Sequence, residues 1–234
     1  MAIDVYLGLG EGATVAQGDA LWQAHAQLEP GLDALFGQAA ATVQRRWGRR
    51  VPVRVWLSSA LARPFLCGPL AGLRRWREVV ALAEAAATEG TGLPGPCQVM
   101  IEEWPHPQPA LAVAVQAQTL DAIESAARRH SLRVQSLRPW WAAALDHALS
   151  RGPDARLLAV SDGDGMTVLG GRERFDTANG YVPAPSAEQA DKVLARLALT
   201  AGLQPADVVR VRLSRTAAPH DGLPFGAMEE QTLP

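Results

Sequence analysis

The chain repeats one order of predicted secondary structure, and this repeat restricts its fold more than any other feature of the sequence. In the first sixty residues, three short strands joined by glycine-bearing turns precede an amphipathic helix and the alternating strand 51–57. The same order returns later: residues 157–179 predict three strands, followed by a helix that Ser186 can cap and the alternating strand 208–214. A β-β-β-α-β unit that occurs twice predicts two halves of similar fold.

A different pattern separates the two copies. Two segments in which apolar residues recur every three or four positions are each flanked by short strand-like runs. The strands are predicted at 63–67, 98–103, 111–115 and 133–137, and the helices at 73–87 and 120–130. Two strand–helix–strand units in tandem predict a ferredoxin-like, split-βαβ sheet inserted into the first copy of an α/β protein. The predicted division is a first half in 1–61 and 140–150, an inserted subdomain in 62–139, a second half in 151–215 and a flexible tail in 216–234.

The composition is that of a globular protein and excludes several classes. Of the 234 residues, 48% are hydrophobic and 20% charged, which is enough apolar material for a full core. The net charge of −2 gives no reason to expect binding to nucleic acid or to an anionic membrane surface. The sequence predicts neither a signal peptide nor a membrane-inserted segment. Cys67 and Cys97 are too few for a disulfide scaffold and fit a reducing cytosol.

Two stretches carry a resemblance to a known superfamily. They are residues 53–70, VRVWLSSALARPFLCGPL, and residues 111–145, which contain the passage RHSLRVQSLRP. Together with the duplicated unit and the place of the insertion, they resemble the actin-like ATPases, whose core consists of two RNase H-like halves. The resemblance is narrower to the bacterial branch that contains FtsA, the pilus-assembly protein PilM and the cytoplasmic part of the secretion protein GspL. It covers roughly residues 3–215 and implies an actin-like fold with an inserted ferredoxin-like subdomain and a shortened second half.

The resemblance also implies where a nucleotide would bind. Actin-like ATPases hold phosphates between two hairpin turns, where an aspartate in each orders Mg²⁺ and glycine N–H groups contact the oxygens. The second turn here, SDGDG, matches that pattern, whereas the first, LGLGEG, has a glycine in place of the aspartate that ends the strand. The candidate nucleotide-binding residues are Gly8, Gly10, Gly12, Asp162, Gly163, Asp164, Gly165 and Thr167. Since Asp-Gly also builds ordinary hairpins, the turns are either structural or the remains of a phosphate site.

Other catalytic and metal-binding patterns fail on spacing. The five histidines are scattered without the spacing of metal ligands, so no metal site is predicted. The GLGEG motif joins two strands instead of opening a helix, which excludes a dinucleotide fingerprint. Ser58 and Ser59 follow a strand but lack the flanking glycines of a nucleophile elbow. We therefore predict no catalytic residue.

The resemblance leads to two hypotheses of function. In the first, the protein is a non-catalytic scaffold of a type IV pilus or type II secretion system that needs no cofactor. It would lie in the cytoplasm at the inner membrane and bind the cytoplasmic segment of a single-span membrane protein, and further copies of itself. In the pilus family this peptide occupies a groove between the first half and the inserted subdomain, which makes Arg63, Phe65 and Leu66 candidate groove residues. In the alternative, the protein is an ATPase or kinase that uses Asp162 and Asp164 to bind ATP with Mg²⁺.

Overall fold

The computed structural model describes thirteen strands and five helices, which form three sheets and the layers between them. The described residues are 3–8, 13–17, 20–24, 28–47, 51–68, 72–73, 75–101, 109–151, 157–162, 164–171, 178–183, 185–204, 208–213 and 226–227. The strands are β1 (Ile3–Leu7), β2 (Ala13–Gln17), β3 (Ala20–Ala24), β4 (Val51–Leu57), β5 (Ala62–Cys67), β6 (Cys97–Ile101), β7 (Ala110–Gln116), β8 (Leu132–Pro139), β9 (Leu157–Ser161), β10 (Gly165–Gly170), β11 (Ala178–Pro183), β12 (Val208–Leu213) and β13 (Gly226–Ala227). The helices are α1 (Leu28–Trp47), α2 (Trp76–Gly90), α3 (Ala117–Arg129), α4 (Trp140–Arg151) and α5 (Ala187–Ala201).

The first half is a five-stranded sheet in the order β3-β2-β1-β4-β8. The strands β1, β2 and β3 are antiparallel neighbours, and β4 lies parallel to both β1 and β8. Alternate residues of β4 point into the core, since Val53, Val55 and Leu57 are buried while Arg54 is exposed. Helices α1 and α3 cover this face and contribute the fully buried Phe36 and Ile123 to one core cluster. The alternating sequence of β4 therefore fixes which face the helices cover.

The second half repeats this arrangement in the order β11-β10-β9-β12-β13, with β12 parallel to β9. Its helix α5 begins with a capping box: the Ser186 hydroxyl accepts from the Gln189 N–H, and the Gln189 side chain accepts from the Ser186 N–H. The helix ends at Gly202, whose φ of 66° lies in the left-handed region that favours glycine. The predicted duplication of a β-β-β-α-β unit is confirmed.

The inserted layer is smaller than predicted. It consists of the three-stranded sheet β5-β7-β6 with α2 on one face. The strand β8 instead pairs with β4 along its whole length, and α3 packs into the core of the first half. A four-stranded ferredoxin-like sheet over residues 62–139 is therefore wrong in its last strand and helix. The cause is that a strand–helix–strand pattern has the same periodicity whether both strands share a sheet or the chain crosses to another one.

The two described residues of the predicted tail form a short strand. Gly226 and Ala227 form β13, which pairs antiparallel with Leu213 and Arg212 at the edge of the second sheet. The flexible tail predicted for 216–234 stays a prediction, since the rest of this segment lies outside the described residues. In the parts of the chain that the structure describes, no helix is long and apolar enough to cross a membrane.

An aromatic cluster joins the two halves. Trp140 and Trp141 begin α4 directly after β8, and both are almost completely buried. They pack with Tyr6 of the first half and with apolar residues of β9, β10 and β12 in the second half. The Trp141 indole N–H also donates to the Ala62 carbonyl at 2.8 Å, which ties α4 to the start of the inserted sheet. Because large aromatic side chains contribute several kcal/mol each when buried, about 3–5 kcal/mol by truncation to alanine, this cluster holds the halves in contact.

Candidate functional site

The two turns that the sequence singled out follow equivalent strands of the two halves. The strand β1 ends at Leu7 and β9 ends at Ser161, and each is paired in parallel with the last strand of its β-β-β-α-β unit. Gly8 and Asp162 are therefore equivalent positions, each the first residue after its strand. The aspartate of the pattern is present in the second half and replaced by glycine in the first.

The carboxylate of Asp162 is saturated by protein donors. Its side chain is 1% exposed and accepts hydrogen bonds from the Ser59 backbone N–H and, at 2.8 Å, from the Ser59 hydroxyl. The N–H groups of Asp164 and Gly165 lie 3.2 Å from its Oδ1. Since Ser59 follows β4 of the first half, these bonds connect the turn of the second half directly to the first. The Tyr6 hydroxyl adds a further link by donating to the Asp162 carbonyl at 3.3 Å.

Burial controls the ionisation of this group. Loss of solvent raises the pKa of Asp162 to about 6, and the negative charge of Asp164 acts in the same direction. The hydrogen bonds from Ser59 and Gly165 oppose that rise because they favour the charged form. A carboxylate in this position is a structural acceptor: its oxygens are already used, and burial penalises its charge.

The turn of the second half also presses against Gly8. A Cβ placed on Gly8 would lie 2.6 Å from Oδ2 of Asp164, closer than carbon and oxygen atoms approach without displacement. An aspartate at position 8 would therefore not fit beside Asp164 in this conformation. The two turns touch at the point where the resemblance implies that phosphates lie between them. Asp4, the preceding aspartate of the first half, is held elsewhere by the Trp56 indole N–H at 2.8 Å and by Arg54.

The remaining nucleotide-site candidates divide into three groups. Gly165 lies under the Tyr181 ring, where a Cβ would be 2.4 Å from a ring carbon, so glycine is needed for that close approach. Thr167 is fully buried within β10, and its hydroxyl finds no hydrogen-bond partner among the described residues. Gly10, Gly12 and Gly163 lie outside the described residues. The structure thus brings Gly8, Asp162, Asp164 and Gly165 together, but as a packed contact between the halves.

The three candidate groove residues lie on β5 and have different contacts. The Arg63 guanidinium lies over the Tyr181 ring at 4.4 Å and donates to the Thr91 carbonyl at 2.6 Å, so it joins β5 to the second half. Phe65 is 5% exposed in the core beneath α2, and the half-buried Leu66 points to the opposite face of the strand. Leu66 therefore lies on the face of β5 opposite Phe65, and a peptide groove lined by Arg63, Phe65 and Leu66 stays a prediction.

Ser59 and Tyr181 are the residues of this site that sequence reasoning missed. Ser59 appeared only as a failed nucleophile, although the parallel pairing of β1 and β4 places the ends of both strands at one edge. The Ser58 N–H accordingly donates to the Leu7 carbonyl at 2.8 Å. The Tyr181 hydroxyl donates to the Asp164 carbonyl at 3.0 Å, and burial raises the pKa of this tyrosine while the nearby Arg63 charge lowers it. Among the described residues, no group of three or more His, Cys, Asp or Glu side chains could hold a metal ion.

Comparison with known proteins rests on structure, since no protein-family model and no curated protein matches the sequence. A protein of Bacteroides thetaiotaomicron with an actin-like ATPase fold and unknown function superposes with a TM-score of 0.60 at 8% identity, covering 91% of this chain and 81% of that one. The chain has an actin-like fold. The cytoplasmic domain of EpsL, an inner-membrane component of the type II secretion system of Vibrio cholerae, gives a TM-score of 0.54 at 14% identity over 90% of this chain and 81% of that one.

A third similar structure is the PilM–PilN type IV pilus biogenesis complex, with a TM-score of 0.52 at 16% identity over 83% of this chain. The match covers 65% of that chain, so about a third of it has no counterpart in the actin-like protein described here. The predicted resemblance to GspL-like and PilM-like proteins is confirmed at the level of the fold. Within that fold, the contact between the two turns lies where actin-like ATPases would hold the phosphates of a nucleotide.

Proposed function

We propose that this actin-like protein is a non-catalytic scaffold of a type II secretion or type IV pilus system. The observation that carries the proposal is the direct contact between the turns: Asp164 fills the space beside Gly8, and Asp162 accepts from Ser59. The groups that would bind phosphate and Mg²⁺ are thereby used to hold the halves together. The likeness in fold to EpsL and to PilM favours an envelope machine over other uses of an actin-like fold.

In this role the protein lies at the cytoplasmic face of the inner membrane, where it binds the cytoplasmic segment of a single-span membrane protein and further copies of itself. EpsL is described as an inner-membrane component with a cytoplasmic domain, and PilM as part of a complex with PilN. An extended segment that orders on binding loses conformational entropy, so we expect micromolar affinity, about −8 kcal/mol. Fractionation of the host tests this: deletion of the partner gene releases the protein from the membrane fraction. Retention at the membrane without the partner contradicts the proposal.

The alternative is a nucleotide-dependent enzyme that uses the SDGDG turn. Thermal unfolding with millimolar ATP and Mg²⁺ distinguishes this alternative from the scaffold hypothesis, because a ligand raises the melting temperature only if it binds the native state. We expect no rise. Each protein is compared with its own nucleotide-free sample. If ATP raises the melting temperature of the wild type by several degrees but not that of Asp162→Ala, the enzyme hypothesis is supported and the scaffold hypothesis is wrong.

A further inference from the structure

A groove on the outer side of the first half has a composition that matches one kind of ligand. It has a volume of about 310 Å³ and lies between α1 and α3. It is lined by Leu32, Gln118, Asp121, Ala122, Ser125 and Arg129. The inserted sheet contributes none of these residues, so this groove is separate from the position near β5 that the sequence predicted. Its volume is at the small end of the range of ligand pockets, which suits a few residues of an extended segment.

One acidic charge of the groove is left without a partner. Asp121 is exposed and forms no hydrogen bond or ion pair within the described part of the chain, whereas the Arg129 guanidinium is bound to Asp33 at 2.8 Å. The same Asp33 oxygen lies 3.1 Å from Nε2 of His130. Hydrogen bonding from Arg129 and then from His130 holds the pKa of Asp33 below its usual range, as expected for a carboxylate paired with the Arg129 guanidinium. The groove therefore presents the negative charge of Asp121.

The rest of the lining is half apolar and half polar. Leu32, 4% exposed, and Ala122 supply an apolar floor, while the Ser125 hydroxyl and the Gln118 amide can both donate and accept hydrogen bonds. These groups can pair with the N–H and C=O groups of an extended backbone and with one cationic and one apolar side chain. Cytoplasmic segments next to a membrane span are enriched in Lys and Arg, so a single-span inner-membrane protein would present that chemistry.

We propose that the groove between α1 and α3 binds a short Lys- or Arg-bearing cytoplasmic segment of an inner-membrane protein, with Asp121 as the partner of its cationic side chain. This inference rests on the proposed function and names the surface that performs it. Glu124 provides a matched control, since it is a carboxylate on the same helix, exposed, and not part of the groove lining. Unlike Asp121, it forms a weak 3.8 Å pair with Arg128.

The test uses synthetic peptides of the cytoplasmic segments of the single-span inner-membrane proteins of the host, labelled for fluorescence anisotropy. For peptides that bind the wild type, Asp121→Asn should raise Kd about three- to tenfold and Asp121→Lys by more than tenfold, while Glu124→Gln leaves it unchanged. Replacing the peptide Lys or Arg by Glu should abolish binding to the wild type and restore it to Asp121→Lys.

Each other outcome overturns a defined part of the inference. If peptides bind the wild type and Asp121→Lys equally, the protein docks a segment elsewhere: the groove assignment fails and the scaffold function stands. Equal losses in Asp121→Asn and Glu124→Gln would show a nonspecific charge effect and also reject the groove. If no peptide binds the wild type, both the groove and the docking function are wrong.

Discussion

The two halves share one topology but differ at the edge beyond their parallel strands. In the first half, β4 is paired with β8 over seven residues and covered by α3. In the second half, β12 is paired with the two-residue β13, and the described residues include no counterpart of α3. Val55 of β4 is 1% exposed, while Arg210 occupies the position on β12 that has the same register against the neighbouring strand. The second half therefore has a polar residue, Arg210, at the position where the first half has a valine covered by helices.

Arg210 is adapted to this open face by its ion pair. Its guanidinium donates to Asp191 of α5 at 2.6 Å, and its side chain is 22% exposed. The alkyl part of an arginine can cover apolar surface while its charged end reaches water and a carboxylate. The second half therefore replaces a buried valine by an arginine that shields the sheet, and the same substitution would be intolerable in the first half.

The largest expected effect comes from exchanging these residues. Val55→Arg puts an unpaired charge beneath α1 and α3 and should destabilise the fold by about 4 kcal/mol or more. Arg210→Val should change the free energy of unfolding by less than about 1 kcal/mol, because it removes only a partly exposed ion pair. Urea unfolding followed by tryptophan fluorescence measures both. If the two variants lose similar amounts of unfolding free energy, the face of the second half that contains Arg210 is covered in solution, and the contrast between the halves is wrong.

The sequence was sufficient for the parts of this fold that depend on local pattern. The alternation in 51–57 and 208–214 and the cap at Ser186 predicted the strands and the helix start. Local sequence pattern was insufficient where a strand can pair with more than one distant strand. The strand β8 pairs with β4 about eighty positions earlier, and nothing local distinguishes that choice from pairing with β7. Likewise, the contact of Ser59 with Asp162 follows from the packing of the halves, 103 residues apart in sequence.

A second comparison concerns the turns, where glycine in one half faces aspartate in the other. Gly8→Asp would restore the symmetry of the pattern but place a carboxylate against Asp164, with its Cβ at 2.6 Å from Oδ2. The clash and the like charges in a buried site should destabilise the fold by about 3 kcal/mol. Gly68→Asp is the matched control, since a Cβ there meets nothing within 4 Å, and its effect should be within about 0.5 kcal/mol. Equal stability of the two variants would mean that the turns separate readily, which would favour an open phosphate site.

The smallest effect is the dependence of the turn contact on pH. The folded pKa of Asp162 is raised from 3.8 to about 6, so the folded state binds this proton more tightly than the unfolded chain. Its contribution to stability is fully present below about pH 4 and is lost as the pH rises through about 6, a loss of roughly 2–3 kcal/mol. Asp162→Asn keeps an oxygen for the Ser59 N–H but cannot ionise.

The free energy of unfolding of the wild type minus that of Asp162→Asn should therefore fall between pH 4 and pH 7 and stay level above it. Asp162→Ala separates ionisation from hydrogen bonding, because it removes the acceptor at every pH and should be less stable than Asp162→Asn throughout. Chemical unfolding at intervals of half a pH unit gives both curves. A difference between the wild type and Asp162→Asn that grows as the pH rises would show that the hydrogen bonds from Ser59 and Gly165 outweigh burial. A difference that is constant with pH would show that Asp162 is solvated. The carboxylate would then be free to bind a cation, and the contrast between the sealed turns and an open nucleotide cleft would no longer hold.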